Sequence, residues 1–127
     1  TNEQKVDAYY MLGLAYQIKG AYSESRSAAY SALKIRPNMG KAYILIGDLY
    51  ANSGGRCSGD DIPLGYAWAA ADKYSCAASV DPSCASQANA QRSKLRFPTK
   101  EEYFVRGMHP GDSYHVGCWI QENTTVR

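Results

Sequence analysis

Large apolar and small residues recur at helical spacing along the first part of the chain, in two matching strings. The strings share the form Tyr-x2-Leu/Ile-Gly-x2-Tyr and start thirty-four residues apart: Tyr9, Leu12, Gly13 and Tyr16, then Tyr43, Ile46, Gly47 and Tyr50. Residues three and four apart share one helix face, where a glycine lets a neighbouring helix approach closely. A helical stretch ending in Pro37 or Pro82 follows each string. The pattern therefore predicts repeated pairs of helices.

These strings resemble the tetratricopeptide repeat, a family of helix–turn–helix units with this period. The first unit, about residues 5–38, departs from the family pattern at Ser25 and Ala29, where a small residue and an aromatic residue are typical. The second unit, about residues 39–82, has Ala70 and Tyr74 at the matching positions. The resemblance implies an all-α fold, a right-handed α-α superhelix of antiparallel helix pairs, in one domain over residues 1–127.

The second unit is longer than the first, because Pro37 and Pro82 stand eleven residues further apart than the period allows. We place the excess at residues 55–65, in the turn between the two helices of that unit. Insertions in helical repeats map to loops on one face, which is often a binding face. A tolerated surface loop is the alternative, since lengthening a loop costs little chain entropy.

Residues 83–107 predict helices that close the array. Residues 83–95 are polar and alanine-rich but lack the Leu-Gly-x2-Tyr string, as is typical of a terminal repeat that faces water. Thr99 and Glu102 have the spacing of a capping box, which predicts a short helix starting at Lys100.

The final segment, residues 113–127, changes to β-forming residues and predicts a small β-hairpin with its turn at residues 121–123. A lone hairpin is only marginally stable in water. We therefore expect Tyr114, Val116 and Trp119 either to pack on the last helix or to form part of a contact site, and we favour packing.

Composition and charge narrow the range of partners. The chain has 127 residues, of which 45% are hydrophobic, which is enough for one elongated core. Its net charge of +2 argues against nucleic acid or an anionic membrane as a partner, and no apolar run approaches the length of a membrane span. The chain opens with Thr1 directly before a repeat helix, which suggests a fragment or a processed part of a longer protein.

Candidate chemistry is sparse. Cys57, Cys76, Cys84 and Cys118 contain no C-x-x-C spacing, which argues against a zinc site. In an oxidising compartment a disulfide could tie the insertion or the tail to the helical body; four free thiols are the alternative, and all three complete pairings stay open. The pair Asp60-Asp61 lacks the spacing of a calcium loop, and no phosphate loop or G-x-S-x-G string occurs. We predict no enzyme, no catalytic residue, no metal and no cofactor.

The tetratricopeptide resemblance implies a concave binding face, lined by first-helix residues that do not pack against neighbours. In this register the candidate partner-binding residues are Asp7, Tyr10, Leu14, Gln17, Lys41, Ile44, Asp48, Asn52 and Asn89. Their mixture of aromatic, aliphatic and acidic groups favours an extended or helical peptide. The expected function is a scaffold for protein–protein interaction.

Residues 55–127 are also similar to the C-terminal ends of exported bacterial tetratricopeptide proteins, through the strings at residues 68–73 and 117–127. This second resemblance implies a periplasmic or cell-surface location and no particular ligand. Two alternatives to the scaffold stay open. The insertion and hairpin could form a small-ligand or glycan site beside Trp68 and Trp119, or the chain could be a purely structural terminal cap.

Overall fold

Helices form where the apolar and small residues follow the helical spacing, and strands form only in the tail. The structure is a computed structural model that describes residues 1–59 and 61–127, so the Asp60 half of the acidic pair lies outside it. The elements described are α1 (Asn2–Lys19), α2 (Tyr22–Ile35), α3 (Gly40–Ala51), α4 (Tyr66–Val80), a 3-10 turn (Pro82–Cys84), α5 (Ala85–Ser93), α6 (Lys100–Phe104), β1 (Ser113–Val116) and β2 (Glu122–Thr125). The prediction of a mostly helical chain with a small hairpin is confirmed.

Local signals in the sequence fix the ends of the first helix. Thr1 caps α1, because its side chain accepts a hydrogen bond from the Gln4 amide at 3.2 Å and the Gln4 side chain bonds back to the terminal amine. Gly20 ends the helix with φ of 78°, a left-handed conformation that glycine adopts without steric cost. The turn is so short that α2 packs directly back on α1.

Helix α3 lies at the centre of the molecule. It contacts α1, α2 and α4, while α4 in turn contacts α5 and β2. Its apolar side chains are at most 3% exposed: Ile44, Leu45, Ile46, Leu49 and Tyr50. A helix that is apolar on most sides must be covered on most sides, which explains this central place.

The two glycines of the repeated strings are points of close contact between helices. A methyl group added at Gly13 would lie 2.9 Å from Leu45 Cδ2, and one at Gly47 would lie 2.6 Å from Tyr74 Cε1. The close approach that the strings predict at these positions is confirmed.

The contact at Gly47 leads to a prediction about stability. Because three atoms of the Tyr74 ring would lie within 3.0 Å of an added methyl group, Gly47→Ala should lower the free energy of unfolding by about 1–3 kcal/mol, despite the better helix propensity of alanine. Chemical denaturation measures this change. Gly55→Ala is the matched control, since an added methyl group there meets nothing within 4 Å. Equal stabilities of the two variants would contradict the packing.

The hairpin packs against α4 with one face inward. Strands β1 and β2 are antiparallel, with Tyr114 opposite Thr124 and His115 opposite Asn123. Tyr114, Val116 and Thr124 are buried, whereas His115 and Asn123 point to solvent. The prediction of the turn at residues 121–123 is wrong: residues 117–121 form the connection, with positive φ at Cys118 and Gln121, and β2 begins at Glu122.

The displaced turn is explained by the contacts of Trp119 and Ile120 with the helices. The Arg26 guanidinium on α2 donates hydrogen bonds to the carbonyl oxygens of Ile120 at 2.6 Å and Trp119 at 3.2 Å. The Trp119 ring meets Tyr22 and Tyr50 edge-on, with centroids 5.7 and 5.4 Å apart. Trp119 therefore packs on helices, as the favoured interpretation expects, but on α2 and α3 rather than on the last helix.

Charged side chains add further links between the hairpin and α4. Lys73 Nζ lies 2.8 Å from Glu122 Oε1, and Asp72 accepts a hydrogen bond from Thr124 at 2.6 Å and pairs with Arg127. Burial is the largest single effect on the pKa of Lys73 and lowers it, but the hydrogen bonds and charges of Glu122 and Tyr30 together outweigh burial and raise that pKa.

A disulfide joins Cys57, in the connection between α3 and α4, to Cys118 in the hairpin turn. The bridge therefore links the insertion to the tail. Cys76 is an exposed free thiol and Cys84 is a half-buried one. None of the helices within residues 1–59 and 61–127 combines the length and apolarity that crossing a membrane requires.

Candidate functional site

A cleft with a volume of about 440 Å³ opens where α1, α3, α4 and α5 meet. Three of the predicted partner-binding residues line it: Gln17 from α1, Asp48 from α3, and Asn52 just beyond the end of α3. The repeat register places these three on one side of their helices, and the packing of α1 against α3 brings them together.

Hydrogen bonds from two neighbouring helices hold Asp48 in place. Its Oδ1 accepts from the Tyr74 hydroxyl of α4 at 2.6 Å and from Gln91 Nε2 of α5 at 3.0 Å. Burial raises the pKa of Tyr74, and the bond to Asp48 raises it further, so the phenol keeps its proton and stays a donor. Hydrogen bonds thus connect α3, α4 and α5 on this side of the cleft.

The α5 end of the cleft is basic. Lys94 and Arg96, which follow α5, line it, and Lys94 Nζ donates to Gln91 Oε1 at 3.1 Å. Asp48 is the one carboxylate among the described lining residues, and its Oδ1 already accepts two hydrogen bonds. The Gln91 amide bonds both Asp48 and Lys94, so it lies between these two charges. The lining thus carries two cations and one carboxylate.

Two larger side chains close another side of the cleft. Leu64, at the end of the insertion, and Tyr66, the first residue of α4, line it. Leu64 has φ of 66°, a left-handed conformation that is uncommon for a residue with a branched side chain. Such backbone strain persists where the surrounding structure holds it and is concentrated at functional sites.

The surface continues from the cleft along α1 towards the start of α3. Tyr10 is half-buried, and Lys41 Nζ lies 4.6 Å from the centre of its ring, a cation–π contact. Burial raises the pKa of Tyr10, and the charge of Asp48 adds to this effect, which places Tyr10 within electrostatic reach of the cleft. Leu14 is half-buried and packs against the core from the same helix.

The remaining predicted residues divide into exposed and buried ones. Asp7, Lys41, Asn52 and Asn89 are exposed. The prediction places Ile44 on this face too, whereas the structure buries it to 3% exposure. Ile44 and Tyr10 hold equivalent positions in the second and first units. Helix α3 is covered by α1, α2 and α4, so Ile44 is buried where Tyr10 on α1 is not.

Leu64, Tyr66, Lys94 and Arg96 are not among the predicted site residues. Leu64 lies at the end of the insertion, which is a predicted functional candidate, and Tyr66 is the first residue of α4. The basic pair follows the degenerate third unit, where no repeat register assigns a role. The string Lys94-Leu95-Arg96 is the one feature of the sequence that could have indicated the basic pair, because it places one cation on each side of an apolar residue.

A second cleft of about 540 Å³ lies between the insertion and the hairpin, lined by Asp61, Ile62, Arg106 and His115 among others. The two ring nitrogens of His115 lie 2.8 Å from Asn123 Oδ1 and 3.0 Å from Gln121 Oε1, which raises the pKa of this histidine.

The two tryptophans have roles in packing around these clefts. Trp68 is fully buried, and Trp119 Nε1 donates to Ser53 at 3.0 Å. Trp68 therefore offers no surface on which a ligand could stack.

Comparisons of the chain with protein-family models, with curated proteins and with solved structures gave no match. Function therefore rests on the geometry of the clefts and on the sequence pattern.

Proposed function

We propose that this chain is a protein–protein interaction scaffold of the tetratricopeptide type, whose α1–α3–α5 face binds a peptide of a partner protein. The observation that carries the proposal is the cleft of about 440 Å³, where the repeat register and the structure bring together Gln17, Asp48 and Asn52. In the proposed superhelix this is the concave face. It offers hydrogen-bonding side chains beside apolar ones, as peptide grooves do.

The charges of the cleft favour one kind of peptide. Lys94 and Arg96 form a basic rim, and the half-buried amide of Gln17 and the exposed amide of Asn52 can bond a peptide backbone. A peptide with an acidic side chain at the α5 end and an apolar one near Leu64 would match this surface. We propose a peptide of this class as the partner, and the proposal does not require a free peptide terminus.

Peptide selection followed by blocking the cleft tests this function. Peptides selected from a random library on the wild-type protein should lose at least about tenfold in affinity for Ala51→Trp, because the indole fills the cleft that Ala51 lines. Ala15→Trp is the control, since Ala15 is exposed on α1 and outside the cleft. Selected peptides should be enriched in Asp and Glu. Equal binding to both variants would sink the proposal.

The cleft between insertion and hairpin supports a second candidate, a site for a small polar ligand. Arg106 and His115 would supply donors there. This candidate predicts that a selected ligand is insensitive to Ala51→Trp and is lost on Arg106→Glu. The remaining alternative is a purely structural terminal cap. It predicts that neither Ala51→Trp nor Arg106→Glu changes the binding of a peptide or a small ligand.

We further propose that the protein is exported to the periplasm or cell surface. The Cys57–Cys118 bridge supports the location, because disulfides persist in oxidising compartments.

A further inference from the structure

The two copies of the repeated string differ in how far they are covered. In the second copy, Ile46 and Tyr50 are fully buried. Their counterparts in the first copy are Leu12, which is 44% exposed, and Tyr16, which is half-buried. Tyr9, at the start of the first string, is 37% exposed. Tyr43, the counterpart of Tyr9, is half-buried. One face of α1 therefore shows to solvent large side chains whose counterparts on α3 are more fully covered.

These side chains form one wall of a cleft of about 330 Å³ between α1 and α2. Tyr9, Leu12 and Tyr16 line it from α1, and small residues such as Ala28 line it from α2. Glu24 is the one charged residue among the described lining residues. The groove thus has a wall of large aromatic and aliphatic side chains on α1, a wall of alanine and serine residues on α2, and a single negative charge.

The molecule itself shows what covers this face one repeat later. Helix α2 packs on α3, with Arg26, Ala29 and Leu33 spaced along one of its faces. Ala29 is fully buried, and Arg26 Nη1 donates to the Tyr50 hydroxyl at 3.0 Å. The small side chain of Ala29 allows α2 to approach α3 closely, and the Arg26 cation contacts Tyr50, the last residue of the second string.

We propose that the groove formed by Tyr9, Leu12 and Tyr16 is a docking site for a partner α-helix with the chemistry of α2. That helix carries a small residue at its centre, an aliphatic residue one turn later and a basic residue one turn earlier. The basic residue bonds the Tyr16 hydroxyl, as Arg26 bonds Tyr50, and lies near Glu24. This surface is separate from the peptide-binding cleft and does not depend on it.

A second copy of this chain does not supply that helix. The matching face of α2 is already buried against α3, since Ala29 and Ala32 are fully buried. Helix α4 is also covered, by α3 and α5 and by β2 of the hairpin. Neither face can leave its own molecule without opening the core.

A synthetic copy of α2 is the probe for this site. The fluorescent peptide comprises residues 21–36, acetylated and amidated, with a lactam between Ser27→Lys and Ser31→Asp to hold it helical. Both positions lie off the face of Arg26 and Ala29. Fluorescence anisotropy should show saturable binding to the wild-type protein, weakened at least about tenfold by Leu12→Asp in the protein or by Ala29→Trp in the peptide.

Ile18→Asp is the matched control, because Ile18 is 86% exposed on another side of α1 and should change the affinity by less than about twofold. Circular dichroism should show both variants folded; if Leu12→Asp melts early, Leu12→Gln replaces it. Absence of saturable binding, or equal binding to the Leu12 variant, would overturn the proposal. Wild-type dimers in sedimentation that Leu12→Asp dissociates would overturn it in favour of a second copy.

Discussion

Replacing Trp68 by alanine should lower the free energy of unfolding by about 3–5 kcal/mol. Trp68 is fully buried on α4, and its ring meets Tyr103 and Tyr114 edge-on, with centroids 6.0 and 5.9 Å apart. These contacts join α6 and the hairpin to the helical body. Removing the indole leaves a cavity where three elements meet, and the surrounding backbone can fill it only in part. Urea denaturation followed by circular dichroism measures the loss.

Trp68→Phe separates the ring contacts from the indole N–H. Trp68 Nε1 is buried without a hydrogen-bond partner among the described residues, so phenylalanine removes no favourable hydrogen bond. This variant should lose only about 1–2 kcal/mol, the cost of the smaller ring. If Trp68→Ala and Trp68→Phe were equally stable, the aromatic cluster would not hold the tail.

Replacing both bridged cysteines, Cys57→Ser with Cys118→Ser, should lower the free energy of unfolding by about 2–4 kcal/mol. The bridge spans 61 residues, so it removes much of the freedom of the unfolded chain. The folded tail should nevertheless stay in place, because Arg26 and the Trp119 ring still hold it on α2 and α3. Denaturation without reductant compares the double variant with the wild type.

Cys76→Ser is the control for that experiment, because Cys76 is an exposed free thiol and its replacement should leave the stability unchanged. A count of reactive thiols in the unfolded, nonreduced protein adds a second readout. Two of the four cysteines, Cys76 and Cys84, should react. Four reactive thiols, or a double variant as stable as the wild type, would contradict the bridge.

The repeated strings predict the helices and their close contacts because those features depend on local spacing. Gly13 and Gly47 lie where neighbouring side chains crowd them, and Thr99 with Glu102 caps α6 as its spacing predicts. The hairpin turn was not predictable in the same way. Its position depends on Arg26, which is more than ninety residues away in sequence and binds two carbonyl groups of the turn.

The same distinction applies to the site. The helical register brings Gln17, Asp48 and Asn52 to one cleft, because it fixes the direction of each side chain on its own helix. It fails for Ile44, whose burial depends on how many helices surround α3. The register also makes no prediction for Leu64 and Arg96, because both lie in irregular segments, where no helical period fixes the direction of a side chain.

Mapping a selected peptide on the protein by two-dimensional NMR tests the central claim most directly. Backbone amide shifts during titration should change at Gln17, Asp48 and Asn52, with smaller changes at the hairpin. Residues of the hairpin, such as His115, serve as the internal reference because they lie on another cleft. Changes confined to the hairpin and the insertion, with none at the three cleft residues, would contradict a peptide-binding face on α1, α3 and α5.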